Sequence, residues 1–131
     1  MRFYLASRFS RSPELKRYRE ELQAMGHIVT SRWLDGHDCT PGLSPEDHTK
    51  ERARFAQDDL DDLSLADVVV CFTEPPRQEN PGRGGRHVEF GVALGWDKTI
   101  VVIGPRENVF HCLSHVTHYE TWEAYQQEMF T

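Results

Sequence analysis

Glu89 is the residue whose position most clearly suggests chemistry. It lies in the stretch GRGGRHVEFGVALGW, residues 82 to 96, after a run of glycines and at the start of a predicted helix. A helix dipole favours a carboxylate in its first turn by about 0.3 to 1 kcal/mol and keeps it ionised. Two interpretations follow. Glu89 is a solvated charge at a helix start, or it is a nucleophile or base that a glycine-rich loop exposes to a ligand.

Strands and helices alternate along the chain, and these elements must position the Glu89 carboxylate. Apolar runs rich in Val and Ile predict strands, and apolar residues at helical spacing predict helices. The predicted strands are 2–7, 27–33, 66–72, 99–104 and 115–119, and the predicted helices are 12–25, 46–64, 87–96 and a last one from 121. Such alternation is typical of a mostly parallel sheet covered on both faces. We therefore predict one α/β domain over residues 1–131, a three-layer sandwich around a five-stranded sheet.

Three polar loops should meet at one edge of this sheet. They leave the carboxyl ends of the first three strands and span 7–12, 32–46 and 73–85. Each carries arginine, and ligands of open α/β sheets bind at that edge, where the strand order reverses. We expect the functional site there, with Glu89 beside the crevice.

Composition excludes several classes of function. The formal net charge of −6 argues against binding a nucleic-acid polymer, which requires a basic face. No apolar run approaches the roughly 18 to 20 residues that span a membrane, and the first residues resemble a strand more than a signal peptide. The three cysteines are irregularly spaced, so we expect no disulfide framework and a cytoplasmic protein.

Four segments together resemble one enzyme family. FYLAS, ADVVVCF, GGRHVEFGVALG and TIVVIGP, in this order, resemble the nucleoside 2-deoxyribosyltransferases and the related nucleotide N-glycosidases. The resemblance implies a flavodoxin-like fold, no cofactor and a homo-oligomer that completes the active site. It also implies that Glu89 is a nucleophile that attacks the anomeric carbon of a nucleoside or nucleotide and forms a glycosyl-enzyme intermediate.

The resemblance assigns roles to further residues, each with a structural alternative. Tyr4 would orient Glu89, or it is a core aromatic residue. Phe9 would stack on the base, or it anchors a loop. Trp33 could wall the base pocket, or it is a partly buried structural residue. Asp67 would act near the base, although an aspartate before a strand is also an ordinary loop residue.

The loop before Glu89 departs from the family pattern because it is basic. Backbone amides at a helix N-terminus together with arginine make an anion site, which favours a 5′-phosphate and the N-glycosidase branch. The alternative is that these arginines balance the acidic surface. The residues that would form this anion site are Arg8, Arg83, Gly84, Gly85, Arg86 and His87.

Other reactive residues receive structural interpretations. The histidines and cysteine of HCLSHVTH, residues 111 to 118, would be split between two faces of a strand, so no metal site is expected. Cys71 ends a buried strand without a neighbouring base. The acidic run 58–63 is interpreted as a solvated helix face. The aromatic C-terminal segment suggests either an oligomer interface or a helix packed on its own sheet.

The sequence leaves open the base, the sugar, the presence of a 5′-phosphate and whether water or a second base accepts the sugar. A non-catalytic nucleotide sensor of the same fold is the alternative function, since fold alone does not fix activity.

Overall fold

The computed structural model describes residues 1–37, 39–76 and 84–130. The strands are β1 (Arg2–Ala6), β2 (Ile28–Val29), β3 (Val68–Phe72), β4 (Thr99–Ile103) and β5 (Thr117–Tyr119). The helices are α1 (Ser12–Ala24), α2 (Pro45–Leu65), α3 (Gly85–Gly95) and α4 (Trp122–Met129). Short 3-10 turns lie at Phe9–Arg11, Arg32–Asp35 and Val109–Cys112.

The five strands of the described ranges form one parallel sheet in the order β2-β1-β3-β4-β5. This is the flavodoxin-like order, whose direction reverses between β1 and β3. The predicted α/β fold is therefore confirmed. The continuous apolar run of β3 is buried along its whole length, as expected of a strand covered on both faces.

The helices divide between the two faces of the sheet. Tyr18 of α1 stacks on Trp122 of α4 at 4.8 Å and on Phe72 of β3 at 5.4 Å. On the opposite face α3 packs against α2 and reaches Tyr4 of β1. Because Trp122 and Tyr125 are each only 2% exposed, the aromatic C-terminal segment packs on its own sheet.

The second strand is much shorter than predicted. The expected span 27–33 contracts to Ile28–Val29. Thr30 makes the last backbone hydrogen bond to β1, from its N–H to the Phe3 carbonyl at 2.8 Å. Beyond Thr30, side chains take the place of backbone partners: Leu5 donates its backbone N–H to the hydroxyl of Ser31, and the indole of Trp33 donates to the Leu5 carbonyl at 2.8 Å. These bonds satisfy the edge of β1 while the chain turns toward the crevice.

Candidate active site

A pocket of about 340 Å³ opens at the carboxyl ends of β1 and β3, where the strand order reverses. Its position is the one expected for ligands of open α/β sheets, and its volume suits a small molecule. The lining residues are Ser7, Arg8, Phe9, Trp33, His37, Asp59, Gly84, Gly85, Arg86 and Glu89.

Glu89 reaches this pocket from the second turn of α3. The helix begins at Gly85 after Gly84, whose φ of 88° is a left-handed conformation that favours glycine. No acidic residue lies in the first turn. The expectation that the helix dipole keeps Glu89 ionised is therefore wrong, because that effect fades beyond the first turn.

The ionisation of Glu89 is set by its surroundings. Burial raises the pKa of Glu89 to about 8, the hydrogen bond from Tyr4 opposes this rise, and the negative charge of Asp59 adds to it. With this pKa the Glu89 carboxyl carries a proton through much of the neutral range. A ligand or neighbour that withdraws this proton would release a strongly basic carboxylate.

Tyr4 is the direct partner of Glu89. Its side chain is fully buried in β1, and its hydroxyl donates a hydrogen bond to Glu89 Oε2. Burial and the neighbouring charge of Glu89 raise the pKa of Tyr4 well above its ordinary value. The phenol thus stays protonated and remains a donor to the carboxylate.

Two aromatic residues form an apolar wall of the pocket. Trp33 is fixed by its indole hydrogen bond to Leu5 and is 5% exposed. Phe9 is 47% exposed, and its ring centre lies 6.0 Å from that of Trp33. A buried, immobilised ring beside an accessible one offers a surface on which a planar ligand can stack.

Asp59 faces the pocket from α2 and was not expected there. Burial raises the pKa of Asp59 to about 7, and the charges of Asp62 and Asp58 add to the rise. Its Oδ1 has no hydrogen bond within the described part of the chain, although it lies 3.3 Å from His37 Nε2. Burial lowers the pKa of His37, so near pH 7 a neutral imidazole lies beside a carboxyl that is about half protonated.

The run 58–63 is thus only partly a solvated helix face. Asp62 is 3% exposed and accepts hydrogen bonds from the backbone and guanidinium of Arg32. The sequence contained an indication that both acids face inward. Asp59 and Asp62 follow Phe55 by four and seven residues, which is the spacing of residues on the buried face of a helix.

The pocket arginines have acidic partners. Arg8 Nε lies 3.1 Å from Glu74 Oε1, and both terminal nitrogens of Arg86 bind the carboxylate of Glu107. A phosphate at this site would therefore share these guanidinium groups with carboxylates. Arg77 and Arg83 lie outside the described residues.

Two predicted site residues lie elsewhere. Asp67 precedes β3 at the amino edge of the sheet, where it binds Arg2 at 2.9 Å through the backbone and 3.5 Å through the side chain. His87 is exposed and stacks near His111, outside the lining of the pocket. The structure brings neither residue to Glu89.

The remaining reactive residues have local partners. His111 is 2% exposed and accepts a hydrogen bond from the backbone of Glu107, while His118 contacts the Gly104 carbonyl. Burial raises the pKa of the Cys71 thiol. Within 1–37, 39–76 and 84–130, no group of three or more potential ligands could hold a metal ion.

No helix in the described ranges has the length and apolar character needed to cross a membrane.

Two solved structures are similar to this chain over nearly its whole length. One is a 2-deoxyribosyltransferase from the psychrotolerant bacterium Bacillus psychrosaccharolyticus, with a TM-score of 0.71, 18% identity, and coverage of 99% of this chain and 93% of that chain. The other is the CMP N-glycosidase BcmB of Clostridium botulinum, with a TM-score of 0.56, 22% identity, and coverage of 98% and 97%. No protein-family model and no curated protein matches the sequence. The chain shares the fold of these two enzymes.

Proposed function

We propose that this chain cleaves or transfers the N-glycosidic bond of a nucleoside or its 5′-monophosphate, with Glu89 as the nucleophile. The observation that carries the proposal is the hydrogen bond from Tyr4 to Glu89 inside a pocket with an aromatic wall. The resemblance of the motif around Glu89, and a fold shared with a deoxyribosyltransferase and a CMP N-glycosidase, support the same reaction class.

The first step forms one bond and breaks another. A carboxylate oxygen of Glu89 bonds to the anomeric carbon while the bond from that carbon to the base nitrogen breaks, and the base leaves with the electron pair. Water or a second base then attacks the glycosyl ester and returns the carboxylate. Tyr4 keeps the carboxylate oriented, and Phe9 and Trp33 hold the base.

Asp59 is the proton donor in this proposal. The leaving base needs a proton, and a carboxyl with a pKa of about 7 can supply one near neutral pH. Glu89 and Asp59 interact and so titrate as a coupled pair. Because the pKa of Glu89, about 8, lies above that of Asp59, about 7, the single proton favours Glu89. The productive form is the minor one, in which the proton is on Asp59 while Glu89 is ionised and accepts the hydrogen bond from Tyr4.

A turnover panel tests the proposed function. Deoxynucleosides, ribonucleosides and their 5′-monophosphates are incubated with and without a free acceptor base, and the products are separated by chromatography. Free base from monophosphates alone identifies an N-glycosidase that recognises phosphate beside Arg8 and Arg86. Exchange that requires a second base identifies a transferase. Absence of turnover across the panel contradicts the proposal.

Replacement of Tyr4 by Phe should lower the rate at pH 7 by about 10- to 100-fold, because a hydrogen bond to a charged group contributes about 1.5 to 3 kcal/mol. In the wild type the hydrogen bond from Tyr4 lowers the pKa of Glu89. Without this bond the pKa of Glu89 should rise, and the acid limb of the pH–rate profile should move to higher pH. The measurement is kcat/KM against pH. The matched control is Tyr125→Phe, a change at a buried tyrosine of α4 that packs against Trp122 of the same helix. An acid limb that does not move in Tyr4→Phe contradicts the role of Tyr4.

A homo-oligomer is part of the proposal. Four exposed apolar side chains on α3 and the segment after β4 support an interface there: Val88, Val109, Phe110 and Leu113. Sedimentation velocity over a dilution series, with activity measured in parallel, should show activity falling as the oligomer dissociates. A fully active monomer contradicts this part of the proposal.

A cytoplasmic location also belongs to the proposal. The cysteines Cys39, Cys71 and Cys112 are free thiols, as is usual in a reducing compartment.

A nucleotide sensor remains the second candidate because of the raised pKa of Glu89. A protonated carboxyl can hydrogen-bond a ligand without attacking it. In a sensor, calorimetry should detect nucleotide binding that Glu89→Ala leaves intact, and the turnover panel should give no product.

A further inference from the structure

Arg86 lies on the same helix as Glu89, three residues earlier. Its side chain is 8% exposed and lines the same pocket. Side chains three residues apart on a helix are neighbours, so an ion pair between Arg86 and Glu89 is within reach. Such a pair would place a guanidinium on the carboxylate that must attack the substrate.

The guanidinium of Arg86 instead binds Glu107. Nη2 donates to Oε1 at 2.8 Å, and Nη1 donates to Oε2, in a two-pronged arrangement that fixes both partners. The Glu107 side chain is 18% exposed. Burial opposes its ionisation, but the hydrogen bonds from Arg86 hold the pKa of Glu107 below its ordinary value.

Glu107 is itself held in place from the segment after β4. Its backbone N–H donates to Nδ1 of His111 at 3.0 Å. His111 is 2% exposed and packs edge-on against Phe90 of α3 at 4.8 Å. The acceptor for Arg86 is therefore anchored against the same helix that carries Arg86 and Glu89.

We infer that Glu107 is a positioning residue of the proposed reaction: by binding the Arg86 guanidinium at the pocket wall, it prevents an ion pair between Arg86 and Glu89. The Glu89 carboxylate is thereby left to Tyr4 and to the substrate. The inference rests on the proposed role of Glu89 as the nucleophile.

Several elements place charged or titratable groups near Glu89. The phenol of Tyr4 and the carboxyl of Asp59 act on its pKa in opposite directions, and burial has the largest effect. Arg86, once released from Glu107, would add a cation that lowers this pKa. The groups that face Glu89 or share its pocket are Tyr4 of β1, Cys71 of β3, Asp59 of α2, Arg86 of α3, and Arg8 and His37 of the loops.

The test is a titration of Glu89 in Glu107→Gln. Glutamate labelled with ¹³C at its carboxyl carbon is followed by NMR across pH, and the Glu89 signal is assigned by its loss in Glu89→Gln. The released Arg86 should lower the pKa of Glu89 by about one to three units. With substrate, the acid limb of kcat should move to lower pH, and kcat should fall more than KM changes, because the nucleophile is held in an ion pair.

Matched variants separate positioning from a structural effect. Arg86→Met should leave the pKa of Glu89 unchanged, because Glu107 already holds that guanidinium away. The double variant Arg86→Met/Glu107→Gln removes both partners and should restore the wild-type titration. Glu120→Gln, a change at an exposed glutamate after β5, is the control.

Two results overturn the inference. One is a folded Glu107→Gln variant in which Glu89 titrates as in the wild type. The other is a rise of the Glu89 pKa in Arg86→Met, which would mean that Arg86 already acts on Glu89; this result decides even if Glu107→Gln does not fold. Absence of turnover in the wild type, with the titrations as expected, would contradict the proposed function and leave the positioning by Glu107 intact.

Discussion

Glu89→Gln should lower turnover by at least about 10³-fold, with ligand binding retained. An amide of the same shape can accept the hydrogen bond from Tyr4, but it cannot form and release a glycosyl ester. The measurement is single-turnover formation of free base from the best substrate of the panel, together with its Kd from calorimetry. Glu20→Gln, a change at an exposed glutamate of α1, is the matched control and should behave as the wild type.

Thermal or denaturant unfolding distinguishes this result from misfolding. The folded pKa of Glu89, about 8, is raised above its ordinary value of 4.5, so the folded state binds the proton more tightly than the unfolded state. Wild-type stability should therefore fall as pH rises from about 4.5 to 8. The amide in Glu89→Gln has no proton to lose, so the free energy of unfolding of this variant does not fall in this way. At pH 9 the free energy of unfolding of Glu89→Gln should exceed that of the wild type by roughly 2 to 4 kcal/mol, allowing for partial exposure of the side chain. A fully active Glu89→Gln contradicts the nucleophile.

The fold was predictable because the central strands are apolar on both faces. Residues 68–72 and 100–103 are continuous apolar runs, and a parallel sheet between two helical layers buries such runs on both faces. The edge strand β2 was predicted too long. Its β-branched residues indicate a preference for extended backbone, but they do not show whether a neighbouring strand is there to pair with it. Beyond Thr30 the hydrogen-bond partners of β1 are the side chains of Ser31 and Trp33, which the periodicity of the sequence does not reveal.

Much of the pocket lining was also predictable, because the motif around Glu89 and the first loop lie at the carboxyl edge of the sheet. Asp59 was missed because its neighbours Asp58 and Asp61 make the run look solvated. Asp59 differs from Asp58 and Asp61 only in its spacing from Phe55, which places it on the inward face of the helix. How far that face is buried depends on the packing of α2 against the sheet.

The prediction for Asp67 failed for a reason that topology supplies. A residue that precedes a parallel strand lies at the amino edge, and ligands bind at the carboxyl edge. The ion pairs of Arg8 and Arg86 could not be predicted from the sequence, for a different reason. Their partners Glu74 and Glu107 follow β3 and β4, and contacts between different loops depend on three-dimensional folding.

Asp59→Asn should lower kcat by about 10² to 10⁴-fold, the usual contribution of a positioned proton donor. The wild-type pH–rate profile should be bell-shaped, since the acid side lacks ionised Glu89 and the alkaline side lacks protonated Asp59. In Asp59→Asn the alkaline limb should disappear. The acid limb should remain and should not move to lower pH, because Asp59 is already protonated and neutral on that side of the profile.

The leaving group gives the sharper test of Asp59→Asn. A 7-methylguanine nucleoside carries a positive charge on its base and leaves without an added proton, so Asp59→Asn should cleave it at close to the wild-type rate. Glu89→Gln should remain inactive on the same substrate, because the nucleophile is still missing. Asp61→Asn, a change at an exposed aspartate on the same helix, is the control. If the defect of Asp59→Asn is as large with the charged base as with an ordinary one, Asp59 binds the substrate and does not donate the proton.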